Sequence, residues 1–217
     1  MILQLYIFFL FCIVRQNSKC QAKVDVVFLL DSSGSIKKFY NKEKQFLKAV
    51  ASQFNIGKNE ARIGVVRFST RATLSIKLKD FQSADRFNNA VDRIRFKAGW
   101  TRTDRALKAA HAMFRTAHGG RRGVKKVVIL LTDGESTGPK PFGQARKLRQ
   151  LGYTILAIGM GKKIGFNELA RITGNRKNVF TVKSFAKLNS QSFIHKVDAA
   201  ACKEGILNFL ARSYLLS

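Results

Sequence analysis

Residues 24–36 read VDVVFLLDSSGSI, and this stretch decides the fold. From Val24 to Leu30 the run is apolar apart from Asp25, and it is rich in valine. So short a run without alternation is what a strand covered on both faces requires. It stops at Asp31-Ser32-Ser33-Gly34-Ser35, where every residue but the glycine carries a side-chain oxygen, and a segment of helical period follows at Phe39–Phe54. Strand, polar loop and helix in that order form the opening unit of an α/β domain.

The rest of the chain repeats the unit. Further strand candidates are Arg62–Phe68, Ala72–Leu78, Lys126–Leu131, Tyr153–Ile158 and Asn178–Val182. Three of the six are apolar on both faces, as central strands of a parallel sheet are. Only Ser69–Arg71 separates the second candidate from the third, too short a link for a crossover, so the third is expected to run antiparallel at an edge. Apolar residues at helical spacing predict helices over Phe39–Phe54 (Tyr40, Phe46, Leu47, Val50, Phe54), Ala84–Ile94 and Thr103–Ala117, with others at Phe142–Leu151, Phe166–Ile172 and Phe185–Ala201. The expectation is a doubly wound α/β domain over about residues 24–201. Its sheet is six-stranded and mostly parallel, with one antiparallel edge strand and helices on both faces. The tail 203–217 is read as an amphipathic turn or two, or as nothing regular.

Composition sets the outer limits. With 217 residues, 46% hydrophobic, and 2 Pro against 16 Gly, the chain can bury a core, which excludes intrinsic disorder and collagenous repeats. Met1–Val14 (MILQLYIFFLFCIV) is almost unbroken apolar and leads into polar and small residues, the layout of a secretory signal cleaved after Ser18 or Ala22. A membrane anchor is the alternative, but crossing a bilayer takes about 20 apolar residues. Cys12 would leave with the signal, so Cys20 and Cys202 are expected to pair in an oxidising compartment. Cleavage after Ala22 would instead remove Cys20. Lys and Arg number 40 against 13 Asp and Glu, a formal charge of +27. Nucleic acid is the ordinary partner of so basic a chain, but a secretory signal and the lack of a recognition motif argue for an extracellular polyanion such as sulfated polysaccharide. Arg121, Arg122, Lys125 and Lys126, next to Gly119-Gly120 and Gly123, are the local candidate, read as an exposed loop entering a strand.

In open sheets, sites form at the carboxyl ends of the strands where strand order reverses. Three loops there are rich in oxygen: Asp31–Ile36, Gly99–Asp104 and Thr132–Gly138. Asp31, Ser33 and Ser35 can turn one way while Gly34 allows the tight backbone, and Asp133 follows the fourth strand. Oxygen ligands suit a hard divalent cation, and a mostly neutral set leaves it electrophilic enough to need a further anion. Ordinary turn and cap roles would explain the first run alone, but not its combination with the other two.

These residues resemble the metal-ion-dependent adhesion site of von Willebrand factor type A domains, extracellular matrilin-like and collagen-associated members in particular. The match is D-x-S-x-S at Asp31, Ser33 and Ser35, the T-x-T loop at Thr101, and T-D-G at Asp133. The resemblance implies that these five residues bind Mg2+ (or Mn2+ or Ca2+) directly or through water, and that an acidic residue of an extracellular matrix protein such as collagen completes the shell. Departures are Trp100 and Asp104, where many members have glycine. Thr103 is read as a helix cap and Glu135 as a solvated loop carboxylate.

Glycines 159, 161 and 165 imitate part of a dinucleotide loop with the wrong spacing. His111, His118 and His195 lie far apart with no catalytic pattern, and no nucleophile or general base accompanies the carboxylates. The expected function is a secreted, non-enzymatic adhesion module. The alternative is a metal-independent binder of sulfated glycosaminoglycan or another anionic surface.

Overall fold

The computed structural model describes residues 19–161 and 164–202. Residues 1–18 of the expected leader and the tail 203–217 lie outside the described residues. Six strands form one sheet: β1 (Val24–Asp31), β2 (Arg62–Phe68), β3 (Ala72–Ile76), β4 (Lys125–Thr132), β5 (Thr154–Met160) and β6 (Val179–Val182). Six helices accompany them: α1 (Tyr40–Ala51), α2 (Ala84–Asp92), α3 (Thr103–Met113), α4 (Phe142–Gln150), α5 (Phe166–Thr173) and α6 (Gln191–Cys202). Strand order is β3-β2-β1-β4-β5-β6. Every neighbouring pair is parallel except β2 with β3, which is antiparallel, as the short link demands.

Alternation along β1 sends its side chains into two layers. Val24, Val26, Phe28 and Leu30 join Phe46 and Leu47 of α1, Phe87 of α2 and Val197 of α6 on one side. On the other, Val27 and Leu29 join Ala106 and Leu107 of α3, Leu148 of α4 and Leu169 of α5. Each such large side chain contributes roughly 1.5–3 kcal/mol on burial. All of β1 is therefore inaccessible, which fixes the register of the strand end that carries Asp31.

Several boundaries differ from expectation by a few residues, and three of the differences have a local reason. β3 stops at Ile76 because Asp80 captures the Lys77 amide at 2.8 Å and turns the chain. The third helix ends at Met113, and a 3-10 turn at Thr116–His118 leads into left-handed Gly119 (φ 95°). The expected helix Phe185–Ala201 is two pieces, a 3-10 turn Phe185–Lys187 capped by the Ser184 hydroxyl and then α6. Cys20 and Cys202 are disulfide-bonded across a sequence separation of 182, with Cα atoms 6.1 Å apart. The Cys20 amide also donates to Gln53 O at 2.6 Å, so the bond ties α6 to the chain just past α1. Among the described residues no helix is long and apolar enough to cross a membrane.

Candidate functional site

Strand order reverses between β1 and β4, and their carboxyl ends open a crevice. Asp31 is the last residue of β1, paired with Phe68 of β2 and fully buried. Its Oδ1 accepts from the Ser33 amide at 2.7 Å and its Oδ2 from Thr132 Oγ1 at 2.8 Å. Burial pushes its pKa up to about 6 against the pull of those hydrogen bonds, and the charge of Asp133 adds to the rise. Ser33 and Ser35 hydroxyls lie 3.2 Å apart, and Ser35 Oγ donates to Asp133 Oδ1 at 2.9 Å. Burial raises the Asp133 pKa as well, with the Ser35 bond opposing it.

Four of the five expected site residues are thus joined by hydrogen bonds, Asp31 to the Ser33 amide, and Ser33, Ser35 and Asp133 through their side-chain oxygens. Thr101, also buried, is brought to the same end by backbone contacts. Gly34 N donates to Gly99 O at 3.1 Å, Lys97 N to Ser32 Oγ at 2.6 Å, and Arg102 N to Ser69 O at 3.3 Å. A Cβ on Gly99 would collide with Thr70 Oγ1, the acceptor for the Trp100 amide, so only glycine lets this loop lie so close.

Sequence reasoning missed the residues that hold these loops. Thr137 accepts from the Thr101 amide at 2.8 Å through its hydroxyl and returns its own amide to Thr101 O at 2.9 Å. Thr132 orients Asp31. Glu168, buried on α5, accepts from the Ser136 amide, the Ser136 hydroxyl and Lys140 Nζ, each at 2.7 Å, and so anchors the loop after β4. Glu43 on α1 is fully buried, and among the described residues neither of its carboxylate oxygens has a hydrogen-bond partner. Only Thr132 left a signal, as the threonine of T-D-G.

Other candidates take plainer places. Thr103 is not the cap: it is the first residue of α3, buried, and Arg102 occupies the cap position without a side-chain cap bond. Arg102 instead grips Asp104 through Nε and Nη2 at 2.7 Å each, holding that carboxyl below its ordinary pKa. Glu135 is exposed, 3.6 Å from Lys140. Trp100 stands 68% exposed beside Thr101.

The basic cluster lies at the opposite, amino end of β1 and β4 and is a clasp rather than a row of free cations. Arg121 donates to both carboxylate oxygens of buried Asp25 and to Val24 O. Lys126 Nζ reaches Arg121 O at 2.8 Å, and Lys125 Nζ reaches Ala201 O at 3.0 Å. Arg122 is exposed. Other cations are exposed on or next to the loops that carry the oxygens: Lys37 and Lys38 after Ser35, Arg71 after Thr70, Lys97 before Gly99 and Arg105 after Asp104.

Comparison with known proteins agrees with this fold. The profile of the von Willebrand factor type A domain matches residues 25–193. The chain is 34% identical over 169 residues to the collagen alpha-5(VI) chain of Homo sapiens, covering 76% of this chain and 6% of that one. It is 31% identical over 167 residues to cuticlin-6 of Caenorhabditis elegans, covering 76% of this chain and 29% of that one. The chain therefore spans a small part of these relatives. Proximal thread matrix protein 1 from the mussel byssus superposes with a TM-score of 0.80 at 30% identity, over 85% of this chain and 48% of that one. A structure of the same mussel protein with a zinc-occupied MIDAS motif superposes at 0.77 with 33% identity, over 85% of this chain and 47% of that one. The chain belongs to the von Willebrand factor type A domain family.

Proposed function

We propose that this chain is a secreted, non-enzymatic adhesion module that binds an acidic residue of an extracellular matrix protein through a divalent cation. Asp31, Ser33, Ser35, Thr101 and Asp133 would hold the ion. The observation that carries the reading is the run of hydrogen bonds that joins Asp31, Ser33, Ser35 and Asp133 at the switch point. Hydroxyls and two carboxylates suit Mg2+, Mn2+ or Ca2+, and the zinc-occupied motif of the mussel protein adds Zn2+ to the ions worth testing. Few formal charges reach the ion from the protein, so it keeps Lewis acidity for a ligand carboxylate. Asp31 and Asp133 are committed to hydrogen bonds that orient the loops, which fits binding rather than hydrolysis.

The exposed loop cations suit an acidic ligand too, because they attract the same partner that the ion captures. They also support a second reading, a glycosaminoglycan binder that needs no metal. One experiment separates them: binding to immobilised collagen and to heparin, each in Mg2+, in chelator, and across a salt series. Adhesion through the ion predicts collagen binding that chelator and Asp133→Ala both abolish. Collagen binding that survives chelator would overturn that reading, and heparin binding sensitive to salt alone would support the second.

A further inference from the structure

Glu43 lies on the inward stripe of α1, between Tyr40 and Phe46, where the spacing calls for an apolar residue. Its side chain is fully buried, and neither oxygen has a hydrogen-bond partner among the described residues. An unpartnered buried carboxyl is costly, so native structures retain one where something else compensates. The neighbouring cation does not: Lys44 Nζ donates to Asp92 O at 3.1 Å and lies 5.6 Å from the Tyr40 ring centroid. Glu43 lies in the first turn of α1, the end of the helix that follows the oxygen-rich loop after β1. Burial raises its pKa well above the ordinary value, and the charges of Asp31 and Asp133 add to the rise. The loop that joins β1 to α1 thus puts Glu43 at the same end of the sheet as Asp31 and Asp133.

We propose that Glu43 is a third carboxylate of the cation site, reaching it from the α1 side and accepting hydrogen bonds from water bound to the ion. The inference rests on the reading that a cation sits among Asp31, Ser33, Ser35, Thr101 and Asp133. Among the described residues no three His, Cys, Asp and Glu side chains are grouped closely enough to hold a metal by themselves, which is consistent with a role through water. The role is chemically apt, since hydrogen bonds from outer carboxylates orient a metal's ligands and raise affinity. It also explains why an apolar position carries an acid. The residue destabilises the free fold and is compensated when the ion arrives.

That compensation gives the test opposite signs on two readouts. Mn2+ affinity is measured by titration calorimetry, and thermal unfolding in chelator is followed for wild type, Glu43→Gln, Glu43→Leu and Asp133→Ala. Wild type is expected to bind Mn2+ and Asp133→Ala to lose it. Glu43→Gln and Glu43→Leu should bind 10- to 100-fold more weakly while unfolding at higher temperature than wild type in chelator. A purely structural role would leave Mn2+ affinity within about twofold for the folded Glu43→Gln protein, and that result would overturn the inference while leaving the adhesion site standing. Wild type that fails to bind Mn2+, Mg2+ or Zn2+ would overturn the underlying site itself.

Discussion

Asp31→Asn should make the metal-free protein more stable at neutral pH while removing its response to cations. In the folded protein the Asp31 carboxyl has a pKa of about 6, against 3.8 for the unperturbed group. Because the folded pKa is the higher one, the folded state binds the proton more tightly, and ionising Asp31 disfavours folding. Its contribution is intact below pH 4 and is lost as pH rises through about 6. The shift corresponds to about 3 kcal/mol at pH 7.5 in order of magnitude. Asparagine escapes that cost but keeps only part of the hydrogen bonding, because an amide cannot offer two acceptor oxygens to Ser33 N and Thr132 Oγ1. Losing one such bond costs about 1 kcal/mol, so the net gain is roughly 2 kcal/mol at pH 7.5. At pH 4 the variant should be slightly less stable than wild type. Urea unfolding in chelator at the two pH values reads this directly. In parallel, saturating Mg2+ at about 100 times its Kd should add about 2.7 kcal/mol to wild type and nothing to the variant. A stability difference that does not change between pH 4 and pH 7.5 would refute the account of Asp31.

Three further expectations follow from the packing. Reducing the Cys20–Cys202 bond, which closes a loop with a sequence separation of 182, should cost up to about 5 kcal/mol in the chain-entropy picture, read as a lowered urea midpoint. Mass spectrometry of secreted protein should find a mature chain that retains Cys20; one beginning at Lys23 would contradict the bond. Arg121→Glu should cost roughly 3–5 kcal/mol, because it strands the buried Asp25 carboxylate, whereas reversing Lys37, Lys38 and Lys97 should leave the unfolding midpoint near wild type and advance elution from heparin. Thr137→Val should weaken Mg2+ binding severalfold in calorimetry by freeing Thr101 while changing stability by no more than about 1 kcal/mol; unchanged affinity would show that Thr101 needs no such brace.

The sheet was legible because its signals are local. Doubly apolar runs announce central strands, and a three-residue link between β2 and β3 admits only an antiparallel pair. The oxygen loops were legible because their residues lie at strand ends that the topology makes neighbours. What the sequence hides is the partnership of side chains distant along the chain. Arg121 reads as a surface cation until Asp25, 96 residues away, is seen beneath it. Thr137 and Glu168 carry no pattern, because their role is to satisfy one particular backbone amide or one short loop. Thr103 failed as a cap because Arg102 takes that position and Thr103 is buried as the first residue of α3.

A chain with formal charge +27 is an awkward host for a divalent cation, and the arrangement at the crevice answers the difficulty. A divalent ion one Debye length, about 8–10 Å, from a unit positive charge is opposed by roughly 0.8 kcal/mol in the dielectric of bulk water before screening. Five loop cations at such distances would together oppose the ion by a few kcal/mol. Asp31, Asp133 and buried Glu43 offset this from inside, where screening is weak, while the loop cations stay outside and meet the incoming ligand. The two populations of charge must therefore respond to salt in opposite directions. Raising NaCl from low to physiological concentration screens the loop cations more than the buried carboxylates, so Mg2+ affinity measured calorimetrically should hold or rise. Affinity of the Mg2+-loaded protein for an acidic peptide or collagen should fall over the same range. If both affinities fell in parallel, the ion and the ligand would be sensing the same exposed charges, and the buried acids would have no separate part in holding the cation.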